Sequence, residues 1–416
     1  MIILYRRFLI LLLFSGIVTI TFPQTRTLDY YLNEGLRNSP LLKDLQNQLN
    51  TASVDSLLIK AARKPLIEAK SLFQYSPYTR NFGYDEVITD GGNYQAVAAV
   101  SQNILNKREA ENKYQAIGNQ RQSVSNTTKL SAADLKKSIT SQYLVACSDF
   151  SELSFNQAFL ELMYAEDEVV KQFVTGGIYN QTDYLSLLVE TQGQEVLVNQ
   201  LKSQFEKDIR LLNQVCGIND TALYELQTPQ LDIPDLSDIS GSPLFRQFTI
   251  DSLNLANKRS ALGIRYKPKV SWFADAGFLT STPFNFYRHF GTSAGISLTL
   301  PIYDGQQKSL EKQKLAISEN TRSLYEKNYL KQYNQLLLQM NGEIRGMKEV
   351  KVQLEKQLAT SKQLVSALKA QLESGIIQMT DYINAIKNYR TINRNLNLVS
   401  IQMLQIINEM NYLMMH

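Results

Sequence analysis

Between Gln306 and Gly375 the chain contains no proline and only two interior glycines, Gly342 and Gly346. At 1.5 Å per residue such a stretch makes an α-helix about 100 Å long. Helical patterns well beyond 25 residues belong to coiled coils, membrane spans or helical repeats. Lysine, glutamate and glutamine recur throughout this stretch, so a membrane span is excluded. Its later half reads as heptads through Met347, Leu354, Leu358, Ser361, Val365, Leu368 and Leu372, with Lys351 as one charged break. A helix of this kind requires a partner helix, and the same chain carries a second copy.

Gly375-Ile376-Ile377-Gln378-Met379-Thr380-Asp381-Tyr382-Ile383 closes the rod, and Gly177-Ile178-Tyr179-Asn180-Gln181-Thr182-Asp183-Tyr184-Leu185 precedes it by 198 residues. Val100 to Leu105 stands at the same distance before Leu298 to Tyr303, so both ends of the rod repeat. Ser39-Pro40-Leu41 and Lys64-Pro65 recur as Ser242-Pro243-Leu244 and Lys267-Pro268, now 203 residues apart. Short periods mark solenoids; a period near half the chain marks a duplicated half-molecule. The expected organisation is a signal segment at 1–24, a first repeat at 25–216, a linker at 217–241 and a second repeat at 242–416. Each repeat reads as helix, β-hairpin (66–102 and 269–300), long helix and return helix.

Glycine and proline together make about 7% of the chain, below the ordinary ~12%, as long helices require. The formal net charge of +4 over 416 residues gives no reason to expect a nucleic-acid partner. Arg6 and Arg7 followed by the apolar run Phe8 to Ile20 read as a secretory signal, and the run is short for a retained anchor. Cys147 and Cys216 fall on neighbouring antiparallel helices at unequal heights, so buried thiols are expected rather than a disulfide.

Two segments of the second half alternate with a period of two. Val270, Trp272, Ala274, Ala276 and Phe278 face one way and Ser271, Asp275 and Gly277 the other, with Phe273 out of pattern; Ala294, Ile296, Leu298 and Leu300 alternate with Ser293, Gly295, Ser297 and Thr299. Transmembrane β-strands and half-buried soluble hairpins both read this way. Trp272 near one strand end, with Phe284, Phe286, Tyr287 and Phe290 between the strands, suits an interfacial girdle. Leu66–Tyr75 and Tyr94–Gln102 are the matching strands of the first half. On the membrane reading, four strands cannot close a barrel, and lipid tolerates no open edge. Copies of the chain must then pool strands. Eight strands leave an interior filled by side chains, so three copies, with twelve strands, are the fewest that leave a passage.

With these features on the page, the chain resembles the bacterial outer membrane efflux proteins, the TolC-like channel-tunnels. The resemblance is carried by Thr27-Leu28-Asp29 through Asn38-Ser39-Pro40-Leu41, by Leu300-Pro301-Ile302-Tyr303-Asp304-Gly305, and by Gly375 through Asp381 with Asn384-Ala385. It implies a mainly α chain with membrane β-strands, assembled as a homotrimer. Four transmembrane strands per chain would form a 12-stranded barrel in the outer membrane lipid, and antiparallel helical hairpins an α-helical barrel through the periplasm. It also implies a periplasmic adaptor and an inner-membrane transporter as partners, contacted at the tips formed by Gly176, Gly177, Ser374 and Gly375. Asp381 matches a position that can ring the pore with carboxylates. Asn384 stands where a second acidic ring can occur, Thr182 and Asp183 at the equivalent first-copy positions, and Tyr184 and Tyr382 where closing helices pack. Ile377 occupies a position that can be basic, so a salt-bridge lock there is in doubt. Asp183 and Asp381 equally suit helix caps or first-turn acids.

No nucleophile elbow, phosphate loop or paired metal motif occurs, and the only histidines are His289 and His416. The expected function is therefore a passive exit duct without cofactor, metal or reaction. A periplasmic structural coiled coil or adaptor-type protein is the alternative. Met414-Met415-His416 resembles a soft-metal motif but equally an apolar chain end. Drug, metal ion and protein all remain open as cargo.

Overall fold

The structure, a computed structural model, describes residues 26–77, 79, 82–85, 90–104, 107–234, 242–284 and 286–414. The expected signal at 1–24 and the Met415-His416 pair lie outside them. In order, the elements are α1 (Leu28–Asn38), α2 (Pro40–Ala61), β1 (Leu66–Tyr75), β2 (Gly92–Ile104), α3 (Lys107–Thr175), α4 (Gln181–Cys216), α5 (Pro243–Arg265), β3 (Lys269–Thr280), β4 (Phe290–Thr299), α6 (Gln307–Glu373) and α7 (Met379–Leu413). The long helices α3 and α6 have 69 and 67 residues, and the return helices α4 and α7 have 36 and 35. The repeated landmarks thus stand on repeated elements. None of the described helices is long and apolar enough to cross a membrane.

Both rods begin later than the sequence patterns suggest. In the first copy, Asn103 and Ile104 stay in the ladder opposite Ser271 and Val270, so α3 starts only at Lys107. In the second, Gly305 adopts φ 62° and the Asp304 carboxylate accepts from the backbone amides of Gln306 (3.0 Å) and Lys308 (2.8 Å). These bonds satisfy amides that the first helical turn leaves open. Pro40 at the head of α2 lacks an amide that a helix start could not use.

The chain forms two compact units, and each takes segments from both sequence halves. One unit comprises residues 41–131 and 240–334. It contains a single antiparallel sheet in the order β1-β2-β3-β4, so the hairpins of both halves lie side by side. The registers Ile67↔Val100, Val100↔Ala274 and Ala274↔Ala294 align the alternation across all four strands. One face carries Ile67, Phe73, Tyr75, Tyr94, Ala98, Val100, Trp272, Phe278, Ile296 and Leu298. The other carries Glu68, Lys70, Gln95, Ser101, Asp275, Ser293 and Ser297, interrupted by Leu66, Leu72, Val97, Phe273 and Leu279, so it is mixed rather than wholly polar. Phe73–Tyr94 and Phe278–Phe290 form aromatic pairs near one rim, with ring centroids 6.4 and 5.4 Å apart. Phe286 of the connection lies tilted against Phe278, with ring centroids 4.8 Å apart. At the opposite rim the Trp272 indole donates to Gln102 Oε1 at 3.0 Å.

Phe273, which breaks the alternation in sequence, has a local reason. It points to the more polar face and lies over Gly295, where a Cβ would come within 2.7 Å of its ring. Gly277 is tighter still: a Cβ there would meet Ala96 O at 2.3 Å and Val97 Cα at 2.5 Å, both backbone.

In this same unit the helices that flank the strands contact one another in the strand order. Asn112 of α3 donates to Asn257 of α5, and Asn126 to Pro243 O. Phe245 of α5 packs on Tyr329 and Tyr333 of α6 at 5.4 and 5.2 Å. Arg322 bridges Glu319 and Glu326 along α6 at 2.8 Å each.

The other unit comprises, among the described residues, 26–40, 132–234 and 335–414. Its core joins α1, α3, α4 and the segment after α4 through Tyr31, Ile139, Tyr143, Cys147, Phe205, Ile209, Leu212, Cys216 and Leu226. The Tyr143 hydroxyl donates to the carbonyls of Arg26 and Gln227. Arg26 pairs with Asp220 at 2.6 Å while its guanidinium lies over the rings of Tyr224 and Tyr30. The linker is thus fastened to the start of the described chain rather than hanging free. Both thiols are unpaired and buried in this core, and burial pushes each up to about 12. A thiol rather than a thiolate is inert.

Two outcomes follow. Gly277→Val should cost about 3 kcal/mol, the upper end for an overpacked site, and reduce the sheet signal in far-ultraviolet circular dichroism. Gly291→Ala, whose Cβ meets nothing within 4 Å, should leave that signal unchanged. Cys147 and Cys216 should resist maleimide labelling in the native protein at pH 8 and label fully after denaturation, as read by intact mass.

Candidate functional site at the paired helix ends

The sequence repeat G-I-x-x-x-T-D-Y produces two turns of the same construction. Gly177 and Gly375 adopt φ of 73° and 68°, the left-handed region that favours glycine. Ile178 N–H donates to Phe173 O and Gly177 N–H to Val174 O; Ile376 N–H donates to Gln371 O and Gly375 N–H to Leu372 O. This pattern closes both long helices by satisfying their terminal carbonyls. Gly176 N–H donates to Gln172 O, and the Ser374 hydroxyl to Ala370 O. All four expected tip residues are exposed.

The turns are bonded to each other. The Tyr179 hydroxyl donates to Leu372 O at 2.8 Å and to Ile377 O at 3.1 Å. Ile178 lies against Gly375, where a Cβ would come within 2.9 Å of its methyl. Gly375 therefore serves close approach as well as the turn. Beneath the turns Phe159, Met163, Val170, Leu187, Leu372, Met379, Tyr382, Ile383 and Ile386 form one apolar cluster, drawn from all four helices. Ion pairs flank it: Lys369 of α6 with Glu166 of α3 at 2.5 Å, and Lys387 of α7 with Glu190 of α4 at 2.8 Å. Deeper along the helices Arg390 donates to Gln194 Oε1, and Gln194 in turn donates to the backbone and side-chain carbonyls of Asn156. Sequence reading missed these cross-hairpin polar links, because each partner alone is an ordinary charged or amide residue on a long helix.

The two aspartates of the repeat occupy different environments. The Asp183 carboxylate accepts from Asn180 N–H at 3.1 Å and caps α4. Asp381, in the first turn of α7, is exposed, and among the described residues no side-chain hydrogen bond or ion pair engages it. Asn384 is exposed one turn further on. Tyr382 is fully enclosed in the apolar cluster, and burial, with Glu166 and Glu373 nearby, raises its hydroxyl well above the usual phenol range. Tyr184 packs against the edge of the same cluster. Ile377 is half-buried against it and offers its carbonyl to Tyr179.

Asp381 and Asn384 head an exposed series on α7 that continues through Asn388, Thr391 and Asn395. The spacing alternates three and four residues, so the series shares one helical face. Its buried counterpart is Tyr382, Ile383, Ala385 and Ile386. A helix face with one acid followed by amides and a hydroxyl suits contact with water rather than packing. The repeat motif drew attention to Asp381 and the family resemblance to Asn384, but neither to the later members.

No protein-family model matches the chain, and no curated protein matches it. Solved structures do. The outer membrane protein VceC from Vibrio cholerae matches with a TM-score of 0.74 at 12% identity, over 93% of this chain and 95% of that one. CusC, described in connection with transmembrane channel formation, matches with a TM-score of 0.74 at 10% identity, over 94% and 93%. The chain has the TolC-like channel-tunnel fold. The open state of the Neisseria gonorrhoeae outer membrane channel MtrE matches with a TM-score of 0.72 at 10% identity, over 93% and 88%. The channel-tunnel fold is thus reached by a sequence that shares about one residue in ten with these structures.

Removing the Tyr179 hydroxyl should loosen the junction of the two turns. Tyr179→Phe should cost about 1 kcal/mol, the net worth of a hydrogen bond. Faster amide exchange confined to residues 372–379 and 174–180 is the expected readout.

Proposed function

We propose that the chain is one protomer of a homotrimeric outer membrane channel-tunnel, a passive duct for efflux or secretion. On this reading it works with a periplasmic adaptor and an inner-membrane transporter, and it catalyses no reaction. The observation that carries the reading is the sheet. Its one face is apolar and rimmed by aromatics, its other face is more polar, and its outer strands β1 and β4 have unpaired edges. Every residue of β1 is exposed, including Ile67, Phe73 and Tyr75 at more than 70% each. A soluble protein gains nothing from such a surface, whereas lipid requires it and requires the edges to be paired.

The two edges differ, so β1 of one copy must pair with β4 of another. Such head-to-tail contacts close into rings when the rotation permits. The helices of the same unit suit that contact: Val54, Leu57 and Leu58 on α2 and Leu310, Ile317 and Leu324 on α6 are exposed apolar stripes. Three copies give twelve strands and a passage, and the solved structures of the same fold are outer membrane channels. The more polar sheet face turns to the passage through the barrel, and the Asp381–Asn395 face of α7 turns to water within its own unit.

Asp381 is the constriction residue. Three copies converging on an axis bring three carboxylates together and favour cations. Asn384 extends the ring without charge. Asp183 holds the neighbouring turn in place, and Tyr382 backs Asp381 from inside the protomer. The exposed turns at Gly176-Gly177 and Ser374-Gly375, with Ile178 and Ile376 beside them, receive the adaptor.

Purified oligomer in planar bilayers tests the proposal. Wild type should conduct with cation preference and be blocked by divalent cations, and Asp381→Ala should reduce the preference several-fold and relieve the block. A folded oligomer that never conducts would sink the duct. Unchanged preference and block in Asp381→Ala would sink the acidic ring alone.

A further inference from the structure

Two aspartates meet where α3 packs on α4, well away from the turns. Asp208 is buried, and it accepts from both neighbouring amides: Gln204 Nε2 at 2.5 Å and Gln142 Nε2 at 3.2 Å. Asp149 reaches toward it from α3 and is also served by the Gln204 amide, yet its Oδ2 is shut off from solvent and, among the described residues, finds no hydrogen-bond partner. Gln204 serves both carboxyls, but one amide cannot offset the repulsion between two neighbouring carboxylates if both are ionised. A single proton removes the repulsion and turns the contact into a hydrogen bond.

We propose that Asp149 and Asp208 share one proton and form an acid-stabilised clasp between α3 and α4, which weakens as that proton is lost on alkalinisation. The charged groups facing the pair are few. On α3 itself Glu152 lies one turn away and adds repulsion. From α7, Arg394 approaches, but it pairs with Glu152 at 3.4 Å, and Asn397 binds Ser148. On α4 the donors are amides. Among the described residues, no lysine or arginine pairs with either carboxyl. Burial and the Asp208 carboxyl together push Asp149 up to about 7.

The sign follows from the proton count. An unfolded aspartate titrates near 3.9, so between that pH and about 7 the native pair holds a proton that the unfolded chain has lost. Stability is therefore highest at acid pH, falls as pH rises through this window, and levels off above it. The inference does not depend on what the duct carries, nor on its being a duct.

Amide exchange of the full-length protein, measured by mass spectrometry and corrected for intrinsic rates, tests the clasp. In wild type, residues 145–152 and 204–211 should exchange faster as pH rises from 5 to 7, by at most the tenfold per pH unit that a single proton allows, and then level off. Asp149→Asn supplies a permanent amide donor to Asp208, so exchange there should stay slow and flat through pH 8. Wild-type exchange without pH dependence, or a variant that keeps the wild-type dependence, overturns the proposal. Should Asp149→Asn fail to fold, infrared spectroscopy of wild type decides the matter. A protonated-carboxyl stretch present at pH 6 and lost with a midpoint near neutrality supports the clasp, and its absence at pH 6 overturns it.

Discussion

Unpaired backbone at the two outer strands is the constraint on which the rest of the structure depends. A four-stranded sheet has two edges, and each presents a row of amides and carbonyls that only water or another strand can satisfy. Here the side chains on one face are those that avoid water. On the proposed reading, the contradiction disappears when edges are joined between copies. The arrangement of the flanking helices serves the same end: α2, α3, α5 and α6 each adjoin a strand terminus. Gly277 and Gly295 show how closely neighbouring strands must fit. One has no room for a Cβ against the neighbouring backbone, and the other has none beneath the Phe273 ring.

Duplication supplied two copies of one turn, and the copies have taken different tasks. In the first, Asn180 precedes the helix and its amide is held by Asp183. In the second, the equivalent residue is Gln378, which forms no side-chain cap, and Asp381 stays exposed. Tyr179 of the first copy has no counterpart hydroxyl in the second, where Ile377 stands; instead it donates to the carbonyl of Ile377 itself. The equivalent tyrosines Tyr184 and Tyr382 diverge likewise, one at the edge of the apolar cluster and the other at its centre. Identical local motifs thus yield an internal cap in one hairpin and an open acid in the other.

Charges along the helices divide in the same way. Where an acid is buried beside a base, as Glu166 beside Lys369, the pair ties one hairpin to the other. Where an acid is buried beside an acid, as Asp149 beside Asp208, the contact can hold only with a proton. Neither arrangement is visible in net charge or in helical periodicity, since both depend on which residues two antiparallel helices bring to one height.

The sequence by itself determined the order and type of the elements. Period-two alternation, the lack of proline over some seventy residues, the glycines at 177 and 375 and the offset between the two halves are local signals, and local backbone preference responds to them. The strand limits Leu66 and Tyr75, the helix end Thr175 and the return helix after Asn180 all follow from such signals. The starts of α3 and α6 did not, because cross-strand pairing at Asn103–Ile104 and capping by Asp304 delay them. The tertiary structure alone decided that both hairpins form one sheet, that Asp183 is engaged while Asp381 is open, that Tyr382 is enclosed, and that the acid pair and the polar links between hairpins exist. The physical reason is sequence separation: each of these contacts, apart from the local cap, joins residues tens to hundreds of positions apart. Only the packing of one helix or strand on another sets which of them meet.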